Sequence, residues 1–393
     1  MEGRTPPRRT APHPLPGTGP PPPPSPTWIL YVDLDAYYVA CELRDRPDLK
    51  GRTVIVGPPP SEHPGRGVVL SASYEARAFG VKSAQPVRTA ARLCPEAVWI
   101  PPDFEKYERI AHEVRELLRH HSSHVVPYSI DEAVVLAEVG SAAEARERAL
   151  AIQADLRTSL GLSASIGVAN TRVVAKIASD RAKPGGILVV PRAEVASFVA
   201  PLAVRAIPGV GPRTEEILAR HEIRTIGELA TRQPHELLRD LGGFARELIA
   251  LARGEPTETP EEPSGPRSRS ADRTFESDQG DLEPLLVAVR FLASELGASL
   301  DREGFRYGSV GVAFRWSDFD RTERRHSMVG AREGPASLVE EAVRLAQGLW
   351  AAERAGRGRA VRTVSVRAER LAERTQRQAS LDDYRPTHGS PET

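Results

Sequence analysis

Two short stretches carry residues able to do chemistry together. Val32-Asp33-Leu34-Asp35 ends an apolar segment, Trp28-Ile29-Leu30-Tyr31-Val32, and Ser129-Ile130-Asp131-Glu132-Ala133 lies about a hundred residues further on. The first segment is rich in residues that suit a buried strand. The second is flanked by Val125-Val126-Pro127-Tyr128 and Val134-Val135-Leu136, which read as two strands joined by a tight turn. If these strands are neighbours in one sheet, Asp33, Asp131 and Glu132 converge. Three carboxylates at one point repel one another and are costly to bury unpaired. A divalent cation is the usual remedy. Oxygen-only ligation suits Mg²⁺, which keeps waters and takes substrate phosphates as further ligands.

A second set surrounds the first. Ser73-Tyr74-Glu75-Ala76-Arg77 opens a helix, where Tyr74 and Arg77 share a face and could clamp a polyphosphate. Tyr37 and Tyr38 follow the first carboxylates. Lys183 ends a helix over 171–182, before Pro184-Gly185-Gly186. The chain has only five lysines among its 53 basic residues, so each is informative, although Lys50 and Lys106 read as plain surface residues. Further on, Ile207-Pro208-Gly209-Val210-Gly211-Pro212-Arg213 exposes backbone N–H groups at a helix start. That is a sequence-blind phosphate holder of the helix-hairpin-helix kind, with Gly242-Gly243 a weaker second copy.

The rest of the chain must position these groups. A length of 393 residues predicts two to four domains. Apolar content of 40% and charged content of 27% are those of a globular protein. Neither a membrane span nor a signal peptide is expected. Two cysteines, Cys41 and Cys94, exclude a disulfide framework or a cysteine zinc site and suit a reducing cytoplasm. Net charge is zero, so any basic face must be local. Residues 1–26 read as a Pro-rich disordered tail. Strands are expected over 53–57, 67–71, 163–168 and 187–190, and amphipathic helices over 104–121 and 142–160. That order predicts an α+β sheet with helices on one face. After a linker near 255–266, residues 267–371 alternate apolar and polar positions as strands with one solvated face. Their candidate basic residues are Arg267, Arg269, Arg273, Arg321, Arg324 and Arg325.

Five motifs in this order resemble the Y-family, or translesion, DNA polymerases, most closely the DinB branch. They are residues 32–38, 74–81, 128–133, 175–186 and 207–211. The resemblance implies a right-hand arrangement with a ferredoxin-like palm at 27–36 and 103–190, fingers at 37–102 and a helical thumb at 191–256. A linker at 257–266 would lead to a C-terminal α/β little finger at 267–371 and a tail at 372–393. It implies template-directed, low-fidelity DNA synthesis without proofreading, by in-line nucleotidyl transfer. Asp33, Asp131, Glu132 and the Leu34 carbonyl would hold two Mg²⁺, for which Mn²⁺ could substitute. Tyr74, Arg77 and Lys183 would hold the incoming triphosphate, and Tyr38 would be the steric gate against a ribose 2′-hydroxyl, with Tyr37 packed beneath it. Gly209, Gly211 and Arg213 would grip the backbone of primer–template DNA. Leu70 stands where relatives often carry a smaller residue over the new base pair. Gln378-Ala379-Ser380-Leu381 is a degenerate version of a sliding-clamp peptide. A cytoplasmic monomer is implied.

Three rivals fit less of the chain. A non-catalytic DNA-binding adaptor has no need of the three carboxylates. A nucleotidyl cyclase leaves residues 200–370 unexplained. A repair nuclease does not need Tyr74, Arg77 and Lys183.

Overall fold

The computed structural model describes residues 27–60, 66–255, 265–357 and 359–374. The N-terminal tail, most of the linker and the clamp-like peptide with Gln378 and Leu381 lie outside the described residues. From the N-terminus, strand β1 (Thr27–Leu34) leads into helix α1 (Tyr37–Asp45). There follow β2 (Val54–Val56), β3 (Ser71–Ala72), α2 (Tyr74–Ala78), α3 (Val87–Leu93) and β4 (Val98–Ile100). Next come α4 (Phe104–His121), β5 (Val125–Pro127), β6 (Glu132–Glu138), α5 (Ala142–Leu160), β7 (Ala164–Ala169), α6 (Arg172–Ala182) and β8 (Ile187–Val189). Five helices close this part: α7 (Val195–Val199), α8 (Pro212–Arg220), α9 (Ile226–Ala230), α10 (Pro234–Leu241) and α11 (Phe244–Ala252). The last part holds β9 (Ser268–Gln279), α12 (Leu282–Arg302), β10 (Phe305–Trp316), β11 (Arg321–Arg332), α13 (Pro335–Arg357), β12 (Val361–Glu369) and β13 (Ala372–Glu373).

The chain divides into two compact units at residues 262 and 263. The first unit is built on a five-stranded sheet ordered β5-β6-β1-β7-β8. Strand β1 is antiparallel to both neighbours, and all of it beyond Thr27 is buried. Its alternate residues Leu30, Val32 and Leu34 join one core with Tyr107, Ile110 and Val114 of α4 and Ile152 and Leu156 of α5. Ile29 and Tyr31 point the other way, into a core with Val173, Val174 and Ile177 of α6 and the helices that follow. The expectation of helices on one face is therefore corrected. A sheet whose central strand is apolar on both sides must be covered on both. Gly167 shows how closely the second layer lies: a Cβ there would sit 1.8 Å from the Ala175 carbonyl of α6.

Side-chain caps begin the long helices where the sequence places them. Asp103 accepts from the Lys106 N–H, Ser141 from the Glu144 N–H and Thr171 from the Val174 N–H. The strand expected over 67–71 is shorter. Only Ser71–Ala72 pairs with β2, while Val69 exchanges hydrogen bonds with the loop at Ala84 and Gln85.

The second unit is a sheet ordered β11-β10-β12-β9, with α12 and α13 packed on one side. Register decides which arginines share a face. Arg325, Gly311, Arg367 and Ser270 form one cross-strand row, and Arg321, Arg315, Thr363 and Thr274 another. Arg324, Arg269 and Arg273 fall in the alternate rows with Val312, Val310 and Phe314, whose side chains are buried against the helices. Of the expected basic cluster, only Arg321 and Arg325 among these strand residues stand on the open face, joined there by Arg315 and Arg367. A period-2 strand sends neighbouring residues to opposite sides, so adjacent Arg324 and Arg325 cannot act together. Among the described residues no helix is long and apolar enough to cross a membrane.

Candidate active site

The site grows from the register of β1. Asp33 pairs with Glu132 on β6 and with Ser165 on β7. Two acids directly opposite across an antiparallel pair repel each other. Here the Lys176 ammonium answers them. It lies 2.7 Å from Asp33 and 2.6 Å from Glu132, with a third contact to Asp180 at 3.0 Å one turn on along α6. Lys183 adds a second ammonium, 2.7 Å from Asp33 and 3.1 Å from Asp180. The Asp33 side chain is only 4% exposed and that of Lys176 only 16%. Burial alone pulls the Lys176 pKa down, but its bonds to Asp33 and Glu132 more than offset this and hold it well above the ordinary lysine range. Lys183 is shifted upward for the same reason, with burial opposing and Asp33 prevailing.

Asp131 stands apart from this knot. Its carboxylate accepts the Ser129 hydroxyl at 2.6 Å, and its backbone carbonyl accepts the Leu34 N–H. The three carboxylates therefore do not close on a single point as expected. Asp33 and Glu132 share one cation, and Asp131 faces the neighbouring cleft. No group of three acidic, His or Cys side chains forms a ready metal cage among the described residues. The donors nevertheless fit a hard divalent ion: they are all oxygens, and two already reach one cationic atom from adjacent strands.

One cleft is lined by Asp33, Leu34, Asp131, Tyr38, Tyr74, Arg77 and Lys183, with Leu70 on its wall. Glu132 lies just outside it, against Lys176. Tyr74 is placed by α2, whose N-cap Ser73 accepts the Ala76 N–H. The Arg77 guanidinium lies 4.9 Å over the Tyr74 ring, and its Nε donates to the Ala72 carbonyl. The Tyr74 hydroxyl is pushed up to about 12, chiefly by burial and then by the negative charge of Asp35.

Tyr37 and Tyr38 are turned by Ala36, whose φ of 44° lies in the left-handed region, uncommon for a residue with a side chain. Tyr37 is buried beneath, donating to the Tyr107 carbonyl at 2.6 Å. The Tyr38 ring meets Tyr107 edge-on at 5.0 Å and Phe104 at 6.5 Å, so its orientation is held by packing. Tyr107 is held in turn by Glu42, which accepts its hydroxyl at 2.7 Å and the Lys106 ammonium at 3.0 Å. Lys106 is thus buried, not the plain surface residue its sequence context suggests.

Gly209, Gly211 and Arg213 sit at the start of α8, away from the cleft lining. Gly209 has φ of 92°, and Gly211 is the N-cap with Pro212 at the first helical position. A Cβ at either glycine would meet nothing within 4 Å, so the face is open.

Sequence reasoning missed Lys176, Asp35 and the Glu42–Lys106 pair. For Lys176 a signal existed: a scarce lysine on α6, four residues before Asp180 and seven before Lys183.

Comparison with known proteins follows the same outline. The impB/mucB/samB family matches residues 32–180, and the C-terminal domain of that family matches residues 266–381. The chain is 37% identical over 357 residues to DNA polymerase IV of Methanoculleus marisnigri, covering 91% of this chain and 98% of that one. It is 38% identical over 324 residues to DNA polymerase IV of Streptomyces coelicolor, covering 81% and 66% of the two chains. Among solved structures, a Y-family DNA polymerase chimera superposes with a TM-score of 0.80 at 24% identity, over 87% of this chain and 98% of the other. An insertion ternary complex of Dbh DNA polymerase does so with a TM-score of 0.60 at 24% identity, over 88% and 99%.

Proposed function

Since the chain belongs to the impB/mucB/samB family, in the DNA polymerase IV branch of the Y-family, and is a DNA-directed DNA polymerase of translesion synthesis, we propose which of its residues do the work. Primer–template DNA and deoxynucleoside triphosphates are its substrates, and divalent metal ions serve the reaction in this family. The reading rests on one observation: carboxylates, the Tyr74–Arg77 pair, a lysine and an edge-packed aromatic line a single cleft.

Asp33, Asp131, Glu132 and the Leu34 carbonyl would hold the metal, taken to be two Mg²⁺ ions with Mn²⁺ able to replace them. Bound there, the metal would lower the pKa of the primer 3′-hydroxyl and neutralise charge on the triphosphate. Lys183, Tyr74 and Arg77 meet the triphosphate. Lys183 brings a compact ammonium, Tyr74 a protonated hydroxyl and Arg77 a planar fork. Tyr38 is the steric gate, and its edge contacts with Tyr107 and Phe104 leave it little room to yield to a 2′-hydroxyl. The backbone N–H groups around Gly209 and Gly211, with Arg213, bind a DNA phosphate without reading sequence. The sheet built on β1 serves as palm, residues 37–102 as fingers, 191–256 as thumb and 267–371 as little finger. The enzyme acts as a cytoplasmic monomer on nucleoid DNA and engages the sliding clamp through Gln378 and Leu381.

Extension of a primed template with Mg²⁺ and single deoxynucleotides tests this reading, with Asp131→Ala beside the wild type. Templated extension lost in the variant is expected. Wild-type protein that binds primer–template without extending it overturns the reading.

A further inference from the structure

Asp35 takes no part in the roles above, yet its carboxylate is among the most engaged groups in the first unit. It is 5% exposed. Oδ1 accepts from the Tyr74 hydroxyl at 3.2 Å and the Ser165 hydroxyl at 2.8 Å. Oδ2 accepts from the Ser163 hydroxyl at 2.7 Å and the Gly185 N–H at 2.9 Å. A carboxylate offers about four lone-pair sites, and each of these has a donor. The donors come from separate stretches of chain: the start of α2, the start of β7, and the turn after Lys183. That turn is gripped from a further side by Gln153 of α5. Its amide donates to the Ala164 carbonyl at 2.7 Å, to Gly185 at 3.1 Å and to Gly186 at 3.3 Å.

Tyr74 and Lys183 belong to different elements, 109 positions apart by their numbers (183 minus 74). Asp35 is the atom-level link between them: one oxygen holds Tyr74 and the other holds the turn two residues beyond Lys183. We propose that Asp35 is a positioning residue for the incoming nucleotide, fixing the spacing of the Tyr74 hydroxyl and the Lys183 ammonium so that both meet one triphosphate. The inference rests on the assignment of Tyr74 and Lys183 to the triphosphate.

The donors make the variants informative. The Gly185 N–H can only donate, whereas hydroxyls can turn and accept. Asn at position 35 can keep its oxygen on Gly185 and direct its NH₂ at Tyr74 and Ser165. Ala removes one of the two acceptors of the half-buried Gly185 N–H, leaving it only the Ser165 hydroxyl at 3.0 Å, and so loosens the turn. Misplacement of binding groups by about 1 Å costs up to about 100-fold.

The test is single-nucleotide insertion by the full chain, with primer–template affinity measured in parallel. Asp35→Ala is expected to raise the nucleotide KM about tenfold or more, leave primer–template Kd within about threefold and change kcat less than KM. Asp35→Asn is expected to recover most of the loss. In the double variant with Lys183→Ala, Asp35→Ala is expected to add less than it does in the wild type, because only the Tyr74 half of the placement remains. An unchanged KM in Asp35→Ala overturns the proposal, as do full multiplication of the two effects or a parallel loss of DNA affinity. If Asp35→Ala does not fold, Gln153→Ala loosens the same turn, and an unchanged KM there overturns it equally. Should Lys183→Ala itself leave KM unaltered, the triphosphate assignment fails first. A raised KM in Lys183→Ala with none in Asp35→Ala isolates the failure to this inference.

Discussion

The two large sheets use charge in opposite ways. In the first, β1 is buried along nearly its whole length and carries Asp33 next to its end, where the carboxylate is shared by two ammonium groups. In the second, β11 is exposed along most of its length, and its arginines meet glutamates on the surface: Arg321 and Arg325 with Glu323, Arg325 also with Glu369. A buried cluster is electrostatically strong and fragile, because removing one member strands another in a poorly solvated place. Exposed pairs are screened and contribute roughly 0–1 kcal/mol each. The first sheet can therefore hold a reacting centre to a fixed geometry. The second presents an exposed, adaptable field of paired charges.

The sharpest way to break this contrast is to remove a carboxylate from the first sheet. Asp33→Ala is expected to reduce primer extension by about 1,000-fold or more, with primer–template affinity nearly unchanged. Quench-flow insertion assays and DNA titrations measure the two, and residual activity within about tenfold of wild type would dissolve the distinction.

Next in size is Lys176→Met. It leaves Asp33 facing Glu132 with one ammonium fewer, and should destabilise the metal-free protein by about 3 kcal/mol. Thermal melts in chelator and in Mg²⁺ should show the ion restoring more stability to the variant than to the wild type. The matched change in the second sheet, Arg325→Met, should cost under about 1 kcal/mol in the same melts. Equal losses would show that burial does not separate the two sheets.

A smaller effect belongs to DNA binding. Arg325→Ala and Arg367→Ala, on the open face, should each lower affinity a few-fold for any sequence and reduce the salt slope by about 1. Arg324→Ala, on the helix-covered face, should leave the slope alone. A matching drop in slope for Arg324→Ala would contradict the register argument.

The smallest expectation is an absence of change. An ordinary tyrosine is half ionised near pH 10, but burial and the charge of Asp35 raise Tyr74 to about 12. Its hydroxyl keeps its proton across pH 7–10, so the KM ratio of wild type to Tyr74→Phe should stay flat over that range. A ratio collapsing toward unity near pH 9 would mean that the hydroxyl ionises earlier than its surroundings imply.

Much of the architecture was legible before any coordinates. Helices α4, α5 and α6 lie where apolar periodicity and their capping residues put them, because local hydrogen bonds and helical spacing are written in consecutive positions. The cleft residues were also readable as short motifs. Several relations were not. Lys106 has the composition of a surface residue and is buried only because α1 brings Glu42 and Asp45 against it. Adjacent Arg324 and Arg325 look alike in sequence, and only strand pairing sends them to opposite sides. The apolar run of β1 announces burial but not that α6 covers its second face.

The sequence alone determined the inventory: which side chains could bear charge, grip phosphate or turn the chain, and which local elements would carry them. These depend on neighbours within a few residues. Only the tertiary structure decided how the charges are shared. It put Lys176 between Asp33 and Glu132, turned Asp131 toward Ser129, and joined Tyr74 to the Lys183 turn through Asp35. Such partnerships are set by strand register and helix packing across a hundred or more residues, and energies that depend on burial do not exist until the fold excludes the water.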